Sequence, residues 1–193
     1  MTDRKARRDE LIDAALAVVA ADGFGALSVR TVAARTGVSI GTVQYWFPTK
    51  EGLLVAAFES VVERVTARLA DGRGLSGEAA VRTFLAALLP MDATRTVEAR
   101  VMVAFAAAAA TDLSLAAVQH RTLGAVRGEL STCLARLRGE VRPSAATRRR
   151  ATLVLAAVDG LALHAVSASA GLTRAELRRQ LDALVTLALD PAS

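Results

Sequence analysis

The chain has 193 residues, 53% of them hydrophobic, enough for one domain or two small ones with a sizeable core. Its single cysteine, Cys133, excludes an internal disulfide, and with only two histidines it cannot complete the ligand set of a protein zinc site, so no metal or other cofactor is expected. The 24 basic residues, all arginine except Lys5 and Lys50, exceed the 19 acidic ones by a formal +5, which permits nucleic-acid binding through local patches without arguing for it.

Mean hydropathy is high at +0.37, yet the longest uncharged run, 160–173, is shorter than the roughly 18 residues that a membrane span needs. Asp9, Glu10 and Asp13 fall where a signal peptide carries its apolar stretch, so the expected location is cytoplasmic, with no membrane partner.

Short β-branched runs and apolar residues at helical spacing predict an all-α fold of about nine helices. Leu11, Ile12, Ala15, Leu16 and Val19 make one face of a first helix that ends at Asp22 and Gly23. Ser28 caps a second helix through Thr36, Gly37 stops it, and Ser39 caps a short third that ends before Pro48. Thr49 opens a long fourth helix, with Glu51 in its first turn and Leu54, Phe58, Val61 and Val65 along one face. Beyond a loop over 71–77, helices are expected at 78–89, 93–110, 113–138, 144–170 and 173–189.

Residues 28–50, SVRTVAARTGVSIGTVQYWFPTK, carry the most information. A helix-turn-helix needs a small residue where its helices cross, a glycine at the turn, and apolar residues that lock the angle between them. Ala33, Gly37 and Val43 supply these, with Val32, Val38 and Trp46 expected in the shared core. The third helix then presents Ser39, Ile40, Gly41, Thr42, Gln44 and Tyr45, small or polar groups suited to a major groove. Thr49 and Lys50, at the start of the fourth helix, are placed for a backbone phosphate.

These residues resemble a known family. From Leu11 to Leu54, and most sharply over GVSIGTVQYWFPTKEGLL, the chain is similar to the DNA-binding domain of TetR-type transcriptional regulators. Gln44 departs from the pattern, since most members carry tyrosine there. The resemblance implies DNA contacts, often to phosphates, by Thr42, Tyr45, Trp46 and Lys50, and by Arg30 and Thr31 near the start of the second helix. LLPMDATRTVEARVMVAFAAAA and VDGLALHAV resemble the BetI-like branch of the family's C-terminal regulatory domains. The resulting division is a helix-turn-helix domain over 1–48, joined by a long helix to an effector-binding and dimerisation domain over 49–193.

A helix-turn-helix dimer reading two half-sites needs an interface elsewhere in the chain. Ala156, Gly160, His164 and Ala168 form a small-residue stripe on the eighth helix, and Leu177, Leu181, Leu184 and Ala188 an apolar face on the ninth; both are expected at a homodimer interface, the alternative being packing within one subunit. Candidate walls of an effector pocket are Phe84, Leu88, Met91, Met102, Phe105 and Leu123, with Arg100, His120 and His164 as polar points, although each also suits plain core. Beyond residue 71 the aromatics are Phe84 and Phe105 alone, too few to cage a quaternary ammonium. A hydrophobic or amphipathic small molecule fits better.

Arg136, Arg138, Arg142, Arg148, Arg149 and Arg150 read as a solvated rim and Cys133 as an inert thiol. An enzyme finds no support: Asp159 and His164 do not share a helix face, and no serine or cysteine has a basic partner suited to nucleophilic catalysis. The sequence thus reads as a homodimeric repressor that binds a palindromic double-stranded operator and is released by a small molecule. The alternative is a DNA-binding protein of the same fold without an effector, acting through DNA structure or a protein partner.

Overall fold

A computed structural model describes residues 2–72, 74–167 and 171–190, and among them the chain is helical with no strand. The helices are α1 (Thr2–Asp22), α2 (Val29–Thr36), α3 (Ile40–Trp46), α4 (Lys50–Asp71), α5 (Gly77–Leu88), α6 (Ala93–Ala109), α7 (Leu113–Leu137), α8 (Ala145–Val166) and α9 (Arg174–Leu189). A single 3-10 turn, Phe24–Ala26, lies between α1 and α2.

The chain divides into two compact units, one of Met1–Glu63 with Arg100–Ala117 and one of Arg64–Ala99 with Val118–Ser193. In the first, α1 packs on α2 and on the 3-10 turn, and α2 packs on α3. Leu11, Ile12, Ala15, Leu16 and Val19 are buried, as their spacing predicts. The helix itself starts nine residues before Leu11, because its first two turns are charged and carry no apolar period to read. Phe58 of α4 and Phe105 of α6 stack with ring centroids 3.9 Å apart, both fully buried. Arg100, expected as a polar point in a pocket, instead donates to the Ala20 carbonyl at 2.7 Å and so satisfies the C-terminal end of α1.

The second unit closes around Val81, Leu85, Leu130, Leu134, Val154, Val158, Leu177 and Leu181, with α9 laid against α5 and α8. Leu177, Leu181 and Leu184, expected at a dimer interface, are buried here within one subunit, the alternative their apolar spacing left open. Arg82 ties α5 to α9 by donating to Asp182, and Arg68 donates to both carboxylate oxygens of the buried Glu98, at 3.1 and 2.5 Å.

Arg150 also departs from the solvated rim: it is buried and donates to the Leu187 carbonyl at 2.7 Å, tying α8 to α9. The eighth helix ends at Val166, so Ala168 lies outside the described residues.

Candidate nucleic-acid interface

Three side chains set the geometry of α2 and α3 by satisfying backbone groups that helix ends leave unpaired. Ser28 Oγ accepts from the Thr31 backbone N–H at 3.0 Å, and Thr31 Oγ1 accepts from the Ser28 N–H at 2.9 Å, closing a capping box. Ser39 Oγ accepts from the Thr42 N–H at 3.1 Å, opening α3. Between the two helices Gly37 adopts φ 68, the left-handed conformation that an L side chain resists, and its N–H returns to the Ala33 carbonyl. Gly37 and Ser39 therefore fix the turn between the helices, while Ser28 and Thr31 fix where α2 begins.

Val32, Ala33 and Val43 are buried in the crossing, whereas Val38 and Trp46 are only half-buried and Phe47 takes the inner position instead. What remains outside is one face of α3. Tyr45 is 67% exposed and Ile40 44%, with Ser39, Gly41 and Gln44 exposed beside them. Arg30 is exposed on α2, and a shallow depression of about 390 Å³ joins it with Ser28, Val29, Ile40 and Gln44.

Two expected contact residues are also structural. Thr31 spends its hydroxyl on the cap and on the Ala26 carbonyl at 2.9 Å, and Thr42 pairs its hydroxyl with Ser39 Oγ at 2.9 Å. Thr49 Oγ1 accepts from the Gly52 N–H at 3.0 Å and opens α4. Lys50, half-buried, donates from Nζ to the Gly25 carbonyl at 3.2 Å and lies 4.3 Å from the Phe24 ring centroid.

Sequence reasoning passed over one participant entirely. Arg4, in the first turn of α1, donates from a terminal nitrogen to Tyr45 Oη at 2.7 Å, and its guanidinium carbon lies 5.1 Å from the Trp46 ring centroid. Nothing local signals a contact across 41 positions.

The residues expected to line one pocket are dispersed. A cavity of about 650 Å³ in the second unit is walled by the end of α4, by Gly72, Leu75 and Ser76, and by α5 and α7, and of the expected residues it includes Phe84 alone. Leu88 and Met91 pack against that unit's core. Met102 and Phe105 belong to the first unit, Leu123 is half-buried, and His120 and His164 are exposed. Small residues on α7, Ala125 and Gly128, and on α5, Ala80, leave the space. Cys133 lines it and is half-buried, with its thiol pushed above the ordinary range by burial despite the opposing pull of Arg136.

A capped pair of short helices meeting at a left-handed glycine, with the second helix exposed along one polar face, defines a helix-turn-helix transcriptional regulator. Residues 11–57 match the family described as bacterial regulatory proteins, tetR family, and residues 77–190 match the BetI-type transcriptional repressor C-terminal family. The chain belongs to the TetR family, whose members are DNA-binding regulators and not enzymes.

A transcriptional regulator from Rhodococcus sp. Rha1 is 39% identical, with a TM-score of 0.84 over 94% of this chain and 95% of that one. A regulator from Saccharomonospora viridis, crystallised in complex with choline, shares the fold at a TM-score of 0.83 and 16% identity, covering 94% and 96% of the two chains. The repressor KstR of Mycolicibacterium smegmatis is 38% identical over 74 residues, 38% of this chain and 36% of that protein, so the match spans little more than a third of that relative's length. No helix among the described residues is long and apolar enough to cross a membrane.

Proposed function

We propose that the protein is a homodimeric repressor that reads a palindromic operator with α3 and is released from it by a small molecule, in the cytoplasm. The observation that carries the reading is the uncovered polar face of α3. Ile40, Gly41 and Gln44 address the bases in the major groove, with Gln44 as the bidentate reader of an adenine, and Tyr45 beside them is directed to the backbone. Arg30, Thr42, Trp46, Thr49 and Lys50 line the phosphates on either side. On this division residues 1–48, continued by Thr49 and Lys50 at the start of α4, meet the DNA, and the rest of 49–193 binds the effector and the second subunit.

Dimerisation is supported by an uncovered stripe on α8. Leu153 is 64% and Leu163 41% exposed, with Ala156, Gly160 and His164 on the same face and Leu187 of α9 45% exposed. Paired with its copy, this stripe would hold two recognition helices for half-sites about one helical turn apart, near 34 Å.

The cavity beside Phe84 and Cys133 supports an effector site. Its apolar wall and the polar groups of Thr83, Thr132 and Glu129 suit an amphipathic molecule. Phe84 is the one aromatic in that wall, so the aromatic cage a choline-like cation needs is missing there. The effector acts by favouring the conformation that does not fit the operator.

The test starts from binding-site selection with a random duplex library, followed by fluorescence anisotropy on the selected and a scrambled duplex. A two-fold-related site bound at least about 10³ times more tightly than the control supports the reading. Gln44→Ala should relax base preference at one position in each half-site. Equal, weak binding to both duplexes overturns it. For the cavity, candidate amphiphiles are screened for two joint effects, operator release and protection of Cys133 from alkylation.

A further inference from the structure

The family match begins at residue 11, so the first ten residues lie before it. The structure nevertheless sets two arginines from this segment on the aromatic end of α3. Arg4 and Arg8 are four residues apart and share a helix face. The Arg4 guanidinium carbon is 5.7 Å from the Tyr45 ring centroid and 5.1 Å from that of Trp46, while that of Arg8 is 5.7 Å from the Phe47 ring. Arg7 is already engaged with Glu10 at 2.6 Å. Tyr45 and Trp46 themselves pack edge to face, 5.3 Å between centroids.

The hydrogen bond from Arg4 to Tyr45 has a definite chemical consequence. Tyr45 Oη is the acceptor, at 2.7 Å, so its own O–H hydrogen remains to be donated. A guanidinium carries five N–H donors in a planar fork, and this bond uses one of them. Donating into the hydroxyl oxygen also polarises the phenol and makes its O–H a stronger donor. Two residues 41 positions apart thus offer converging donors, one of them charged, at an exposed edge of the recognition helix. The group that such a pair fits is a phosphate oxygen of the DNA backbone.

We propose that Arg4 and Tyr45 form a two-residue phosphate clamp, which makes the first turns of α1 part of the DNA interface. The proposal rests on the reading of α3 as the recognition helix. Arg4 acts in two ways: it supplies a cation to the phosphate, and it holds the exposed Tyr45 ring before DNA arrives, sparing the complex the entropy of ordering it. A phosphate carries no sequence, so the clamp contributes to affinity on every duplex and fixes the register in which Gln44 meets the bases.

The experiment measures full-length wild type, Arg4→Ala, Arg4→Lys, Tyr45→Phe and Arg4→Ala/Tyr45→Phe against the selected and scrambled duplexes over a KCl series. Melting temperature and far-UV circular dichroism are recorded for each. Arg4→Ala is expected to weaken binding to both duplexes by about tenfold and to reduce the steepness of the salt dependence by about 0.9 in the log–log slope. In the Tyr45→Phe background the same substitution should cost clearly less, because the partner it positions is already gone. Arg4→Lys keeps the charge and hence the slope, but loses the coupling to Tyr45, an outcome that a merely structural arginine would not give.

Binding by Arg4→Ala within twofold of wild type, or strictly additive effects of the two substitutions, overturns the clamp while leaving the recognition helix in place. Failure of the wild type to distinguish the two duplexes overturns the recognition reading, and the clamp with it.

Discussion

Lys50 Nζ sits 3.2 Å from the Gly25 carbonyl oxygen, joining the first residue of α4 to the 3-10 turn that precedes α2. The ammonium also faces the Phe24 ring at 4.3 Å and so is held from two sides. An ammonium has three donors, and the carbonyl takes one. The others are available to a phosphate without breaking the brace. Lys50→Ala is expected to weaken operator binding by about tenfold and to lower the salt slope by about 0.9. Anisotropy across a salt series measures both, and an unchanged slope would show that Lys50 serves only the brace.

Gly37 provides a test of the turn itself. Its φ of 68 is unfavourable to any side chain, while a Cβ built there meets nothing within 4 Å, so substitution incurs a backbone cost without a clash. Gly37→Ala should therefore destabilise by about 1–2 kcal/mol, and Gly37→Asn by less. Urea denaturation of the three proteins gives the order directly.

Glu98 and Arg68 test the second unit. The carboxylate is buried and receives two hydrogen bonds from a guanidinium that is itself mostly enclosed. Glu98→Gln takes from Arg68 the carboxylate it is bonded to, and because that side chain keeps 29% exposure the cost should be about 2–3 kcal/mol, below that for a fully buried pair. A loss under about 0.5 kcal/mol would mean that water compensates the arginine.

Glu140 links stability to pH at the start of α8. Its carboxylate accepts from the Ser144 backbone N–H at 2.8 Å and from the Thr147 hydroxyl at 2.8 Å, and these bonds hold it below the ordinary glutamate range. A depressed folded-state pKa stabilises at neutral pH, and that contribution is lost as pH falls toward the folded-state value. Glu140→Gln should lower the melting temperature at pH 7, and the difference from wild type should close as the buffer is taken below the ordinary carboxylate range. A constant difference would assign the effect to the hydrogen bonds rather than to the charge.

The helix-turn-helix was legible because its signals are local. Ser28, Gly37 and Ser39 each act on backbone groups within five positions, so residue type and spacing suffice. The start of α1 escaped because Arg4, Lys5 and Arg8 have no apolar period, and the rings that Arg4 and Arg8 meet, those of Tyr45, Trp46 and Phe47, are brought near only by folding. The neighbours of α9 were not legible for a similar reason: Leu177, Leu181 and Leu184 suit any apolar partner, and only the fold shows that α5 and α8 pack on that helix. The cavity depends on where small residues of α5 and α7 come face to face, which no single-helix pattern records.

The caps of the helix-turn-helix and the tie between α5 and α9 differ in how far they reach along the chain. The capping bonds of α2 and α3 span three residues, whereas Arg82 reaches 100 positions to Asp182. On a ribosome, where residues emerge from the N-terminus, the turn motif can close within moments of synthesis, but α5 must wait for the last helix to be made. Until α9 arrives, Val81 and Leu85 lack the water-excluding cover they will later share with it. The capped turn of α2 and α3 can therefore be in place while this apolar face of α5 is still open to water, and that interval is when the nascent chain is most exposed to wrong contacts.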